Sequence, residues 1–305
     1  MRRTLAVSTL ALFAISGATR PAAAQAWVPP AGGGSITFVT QTIDHVGRFT
    51  DDGTRVACCG TTNVAVAVEV EYAPTDRWSI SASLPYIFAK YRGDAPAGPA
   101  AFLPYPEVDS CHCVHSSFQD VGFTARYNMV NLHRAFALTP SVSVGVPTHD
   151  YDYAGEAVVG FGLKELRIGA AAGQRLDALL PGLSLEGRYT YAIVPRVLNI
   201  PHNRSNALID GAFAFTRHLS GHGIVFWQKT HGGLHFPADV EPFPERYTEF
   251  HRLLQDNYVQ VGAGASYFWR QWEVSASFLR AVRGTNSHEV NVYTADVSWS
   301  FQSIR

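Results

Sequence analysis

The stretch from Asn291 to Phe301 sets Tyr293, Ala295, Val297, Trp299 and Phe301 on one face and Thr294, Asp296, Ser298 and Ser300 on the other. Successive side chains of a strand point to opposite faces, and about 9–11 tilted residues cross the hydrocarbon core of a bilayer. The pattern is that of one transmembrane strand, with an aromatic end suited to an interfacial girdle.

The same alternation recurs along the chain. A weak first strand is expected over residues 35–46. In the second, Val64, Val66, Val68, Val70 and Tyr72 alternate with Ala65, Ala67, Glu69 and Glu71. The turn Pro74-Thr75-Asp76 leads to a third, in which Trp78, Ile80, Ala82, Leu84 and Tyr86 alternate with serines. Further runs fall at 121–128, 136–146, 183–193, 209–215, 224–229, 259–269 and 272–278. Residues 163–180 read either as a strand or as an amphipathic helix, and a strand is preferred. The count comes to about twelve. Short connections follow the second, eighth and tenth strands, whereas long ones follow the first, third and ninth. This alternation predicts an all-β, antiparallel, up-and-down transmembrane barrel with long extracellular loops.

Cost decides which face meets lipid, because an Arg or Lys near mid-bilayer on the lipid face costs about 2–4 kcal/mol. Glu69, Glu71, Arg126, Glu186, Arg188, Asp210, Glu273 and Asp296 are therefore expected to face the lumen. They either line a conducting pore or pair into a plug inside a narrow barrel. About twelve strands lie between filled eight-stranded barrels and open sixteen-stranded porins.

Arg2 and Arg3 precede an apolar stretch from Leu5 to Ile15, and Ala22-Ala23-Ala24-Gln25-Ala26 offers a cleavage site. Residues 1–26 are read as a secretory signal peptide and 27–305 as the barrel domain. Export through such a leader and a barrel fold point to the outer membrane of a Gram-negative-type bacterium. Outer-membrane lipid and lipopolysaccharide are then the expected surroundings. Removing Arg2, Arg3 and Arg20 leaves 21 Lys and Arg against 25 Asp and Glu, so nothing suggests a nucleic-acid partner. Only 16% of residues are charged and 47% are hydrophobic. A secreted soluble sandwich would carry more charge.

A family resemblance rests on the hairpin from Glu71-Tyr72 to Pro85-Tyr86. It continues through Gln119-Asp120-Val121-Gly122-Phe123, Arg126-Tyr127, Val144-Gly145-Val146-Pro147-Thr148 and Gly160-Phe161-Gly162. In this order the segments resemble outer-membrane proteins named for the meta pathway of phenol degradation. The resemblance spans roughly Thr62 to Phe301. It implies a channel-like protein that admits small hydrophobic or aromatic solutes. No cofactor is expected.

Cys58, Cys59, Cys111 and Cys113 fall in the first two long loops. In an oxidising compartment they suggest disulfides, with bridges between the loops preferred because adjacent cysteines bond each other poorly. Cys111-His112-Cys113-Val114-His115 also offers thiolate and imidazole ligands for zinc or copper. His45, His149, His202, His231, His235, His251 and His288 are placed in outer loops as well. A lipid hydrolase would need a nucleophile and base in contact. His202 and Ser205 stand three apart and so face opposite ways on a strand. No enzymatic activity is expected.

Overall fold

The computed structural model describes residues 26–57, 60–93, 111–132, 135–150, 157–235, 239, 249 and 252–302. Its strands are β1 (Gly34–Phe49), β2 (Arg55–Val56), β3 (Thr61–Tyr72), β4 (Trp78–Tyr91) and β5 (Val114–Phe118). These are followed by β6 (Val121–Tyr127), β7 (Val130–Leu132), β8 (Phe136–Val146), β9 (Glu165–Arg175) and β10 (Leu183–Ile193). The remainder are β11 (His202–Ala214), β12 (Leu219–Gly232), β13 (Asn257–Trp269), β14 (Trp272–Thr285) and β15 (Ser287–Phe301).

Alternation predisposes each segment to extend, and antiparallel pairing then satisfies the backbone. Neighbours pair in sequence order, and β15 closes onto β1 from Gly34↔Phe301 to Phe49↔Ser287. A two-residue flap, β2, pairs with the end of β1. The fourth wall is interrupted: β5 pairs with the upper part of β4, β6 with its lower part, and β7 continues the wall against β8. The result is a closed barrel of twelve walls. Closure leaves no unpaired edge, which is the condition for crossing hydrocarbon with strands.

Outward faces carry the apolar set. Phe38, Val68, Ile80, Phe123, Ile168, Val261 and Tyr293 are all exposed on the wall. Around the short-turn rim stand Tyr72, Trp78, Trp269, Trp272 and Trp299, with the rings of Trp78 and Tyr127 4.9 Å apart. This arrangement matches an apolar band ended by an aromatic girdle.

Several boundaries differ from the sequence reading. Residues 165–175 form a strand paired on both sides, so no helix forms there and the leucines after it make a turn. Long strands extend past the bilayer band towards the loops. His45, His202, His231 and His288 consequently lie within β1, β11, β12 and β15 rather than in loops. The connection from β14 to β15 is also short, a single Asn286 at φ 50°.

Ala295 faces outward midway between Tyr293 and Val297. Ala295→Arg is expected to lower the free energy of unfolding by about 2–4 kcal/mol, measured by reversible urea unfolding in phospholipid vesicles. A change below about 0.5 kcal/mol, the usual scatter of surface substitutions, would place this face away from lipid.

Candidate functional site

Inward faces change character along the barrel. On β15 they run Ser300, Ser298, Asp296 and Thr294 and then Val292 and Val290. On β14 they run Glu273, Ser275 and Ser277 and then Leu279 and Ala281. On β4, Ser79, Ser81 and Ser83 give way to Ile87, Ala89 and Tyr91. On these three walls the lumen is hydroxyl-rich and ionic towards the short turns and aliphatic towards the long loops. Phe49, Ala281, Val290 and Val292 cluster in the second half, as do Ile87, Ala89, Tyr91, Ala157 and Val159. A cavity of about 850 Å³ joins the halves, lined by Ile43, Phe226 and Val290 above and by Glu69, Ser81 and Arg126 below.

Of the eight charges assigned to the lumen, Glu69, Arg126 and Arg188 line the cavity, and Glu71, Glu186, Asp210, Glu273 and Asp296 each stand beside an exposed apolar residue on their strands. Strand positions bring several together. Arg126 on β6 pairs across β4 with Glu71 on β3, and its Nε donates to Ser79 Oγ at 3.2 Å. Glu69 feels the positive charges of Arg126 and of Arg188, which comes from β10. Arg188 Nε stands 3.6 Å from Glu186, Asp210 lies 3.2 Å from His222 Nδ1, and Ser275 donates to Asp296 at 2.5 Å. Glu273 sits on the inward face of β14 and acts on His222.

Sequence reading missed a second ionic group. Glu165 on β9 pairs with both Arg167 and Arg204, and Arg204 lies 5.7 Å over the Phe161 ring. Arg167 was hidden in the run with mixed periodicity, whereas Arg204 lies two residues into a strand that begins earlier than expected.

Each end of the cavity is narrowed by chain. Before β1, the segment from Ala26 to Gly33 reaches β8, β9 and β10, and β10 is six walls from β1 in either direction round the barrel. The segment therefore crosses the full diameter. Ala26 is fully buried, its N–H donates to Glu186 Oε2 at 3.2 Å, and its carbonyl accepts from Thr139 Oγ1 at 2.6 Å. Gly173 makes room for Trp27, since a Cβ there would stand 2.3 Å from the indole. At the other end, residues 252–256 fold into the mouth. Leu234 N–H donates to Leu253 carbonyl at 2.7 Å, Leu253 is fully buried, and Gln228 Nε2 donates to Asp256 Oδ2 at 3.0 Å. Burial pushes the Asp256 carboxyl up to about 7.

Cys111 and Cys113 bond each other within one loop, with Cα atoms 5.2 Å apart. For these two the expected bridge between loops does not form. His112 at φ 52° folds the chain back between them. Cys58, Cys59 and His251 lie outside the described residues. The metal reading for Cys111, His112, Cys113 and His115 does not fit either, because the two sulfurs are in a disulfide. His112 and His115 instead approach the carbonyls of Tyr91 and Ala157 at 3.2 and 3.1 Å. Among the described residues, no group of three potential metal ligands assembles. His202 lines the cavity, while Ser205 faces outward, 2.7 Å from His231 Nε2 and 2.9 Å from Tyr189 Oη.

No protein-family model and no curated protein sequence matches the chain. Among solved structures, it is similar to an outer membrane channel from Pseudomonas putida F1. That match has 13% identity and a TM-score of 0.69, covering 91% of this chain and 98% of the other. It also resembles the translocator domain of autotransporter NalP from Neisseria meningitidis, with 11% identity, 90% of each chain covered and a TM-score of 0.51. At such identities the likeness is one of fold.

The ionic groups lead to two measurable expectations. Removing one partner of a buried pair strands a charge, so Glu71→Ala should lower unfolding free energy by about 3–5 kcal/mol, whereas Glu71→Met with Arg126→Met should recover most of that loss in the same urea assay. For Asp256, burial favours the neutral acid in the folded state. Its contribution is complete below the ordinary carboxylate value of 3.8 and is lost as pH rises towards about 7. Amide-exchange protection at Leu234 and Gln255, corrected for intrinsic rates, should fall over that range and stay level in Asp256→Asn. Equal pH profiles for the two proteins would contradict the assignment.

Proposed function

We propose that this chain is an outer-membrane channel giving passive passage to small hydrophobic or aromatic solutes, akin to the barrels named for the meta pathway of phenol degradation. The observation that carries this reading is the change of the inward face from ionic to aliphatic along β4, β14 and β15. An apolar solute arriving from the long-loop side meets Ile43, Ile87, Phe226, Val290 and Val292 on the cavity wall, beside the charged group of Arg167 and Arg204. Each buried methylene of such a solute gains about 0.8 kcal/mol on leaving water, which draws it into the vestibule. The fold shared with the Pseudomonas outer membrane channel lends further support. Localisation in the outer membrane, a lipid and lipopolysaccharide surround, and export through a leader complete the reading.

One observation favours a second reading, a structural barrel with a plugged lumen. The segment from Ala26 to Gly33 lies across the ionic half, held by Glu186, Thr139 and the Gly173 recess. Passage then depends on that segment yielding. In proteoliposomes, the processed wild type should admit benzyl alcohol faster than a sugar of similar size. Its ion conductance should be small, rising several-fold in Gly173→Val, which expels Trp27. Vesicles that stay sealed to both solutes, with a heat-modifiable folded barrel and no rise in Gly173→Val, would exclude the channel and leave the structural role.

A further inference from the structure

The outer face of β10, β11 and β12 carries a polar group near the long-loop ends that the cavity does not use. Odd-numbered positions face outward on these walls, among them Leu185, Ile209 and Val225, which are exposed and aliphatic. Higher on the same face, Ser205 Oγ stands 2.7 Å from His231 Nε2 and 2.9 Å from Tyr189 Oη. Asn203 Nδ2 donates to Tyr191 Oη at 3.2 Å, and the rings of Tyr191 and His231 lie 5.6 Å apart. Ser205 is only 3% exposed, so the network is packed in place. Lys229, directly opposite Ser205, is exposed and makes no ion pair among the described residues. His231 Nδ1 has no hydrogen-bond partner among them. No outward position on these three walls is acidic.

Depth decides what meets this group. Lys229 lies ten residues above Leu219, the exposed first residue of β12. That is about 33 Å along the strand, or about 25 Å of height at the usual tilt, which matches the apolar band of an outer-membrane barrel. Trp227, one outward step below, then takes the upper aromatic girdle, and Lys229 and His231 stand just beyond the hydrocarbon. We propose that Lys229, His231 and Tyr191 form a binding site for a phosphate of lipid A, the anionic anchor of lipopolysaccharide. This rests on reading the chain as an outer-membrane barrel with its long loops outward, which puts lipopolysaccharide at that level. Tyr189 donates to Ser205, and Ser205 donates to His231 Nε2, which leaves the ring proton on Nδ1 to face the lipid. Tyr191 accepts from Asn203, so its own O–H is the second donor. The ammonium of Lys229 supplies the charge. Their walls, β10 and β12, stand about 10 Å apart, two strand spacings, an interval that long side chains and one phosphate close. Without an acid on the outer face, the lipid itself provides the counter-ion.

The test uses the full chain, expressed in a Gram-negative host and purified in nonionic detergent from membranes separated on a density gradient. The delipidated barrel is titrated with lipid A and followed by native mass spectrometry. One molecule of phosphorylated lipid A should stay bound, and the same acyl chains without phosphate should not. Lys229→Ala should weaken binding about fivefold, the share of one cation at an anionic lipid surface, and Lys229→Arg should restore most of it. Tyr191→Phe, which keeps the ring and the packing, should also weaken it. Arg270→Ala, in the short turn at the opposite rim, should leave it unchanged. Equal binding with and without phosphate would leave only the acyl chains and overturn the proposal. So would unchanged affinity in both Lys229→Ala and Tyr191→Phe, an equal loss in Arg270→Ala, or phosphatidylglycerol competing on equal terms. Recovery of the barrel with the inner membrane would overturn the localisation and the proposal together, whereas the other outcomes leave the localisation standing.

Discussion

Everything in this molecule depends on the seam between β15 and β1. A strand crossing hydrocarbon has no water to satisfy its N–H and C=O groups, so the ladder must close on itself. Fifteen residues of β1 pair with β15, through a single register shift between His45 and Gly47. Closure then fixes an inside and an outside, and each residue of every wall inherits one of the two environments. The outside accepts only apolar and interfacial side chains, which sends the charges into the lumen.

Once inside, those charges must find each other or an N–H. Glu71 with Arg126, Glu165 with Arg167 and Arg204, and Glu186 with the Ala26 amide are the solutions found here. The Glu71 and Glu186 groups lie towards the short turns, where Glu186 gives the N-terminal segment its anchor, whereas the Glu165 group lies towards the long loops. On β4, β14 and β15 the long-loop half is aliphatic instead, which gives the barrel a partly apolar entrance above a crossed and charged floor. The same geometry thus carries both the solute-admitting reading and the obstruction that solutes would have to pass.

Much of the wall was legible because period-two alternation is a local property. Glu69, Arg126 and Arg188, which line the cavity, could be named from parity alone, since an odd or even position in a strand decides its face. Legibility failed where parity breaks or where strands outrun the bilayer. The fourth wall splits into three pieces, and the run at residues 165–175 shows mixed periodicity because Arg167 faces the lumen from it. The histidines at 45, 202, 231 and 288 looked like loop residues because strand ends above the membrane need not alternate cleanly.

By itself the sequence determined the class of fold, the number of walls and the apolar side of each wall that faces outward, because these follow from short-range periodicity and the cost of charge in hydrocarbon. Only the tertiary structure decided the partners. Glu71 selects Arg126 fifty-five residues away, Cys111 selects Cys113 rather than another loop, and Ala26 selects walls on the far side of the barrel. Such choices are made by closure, which brings remote segments within hydrogen-bond reach, and no pattern along the chain encodes that distance.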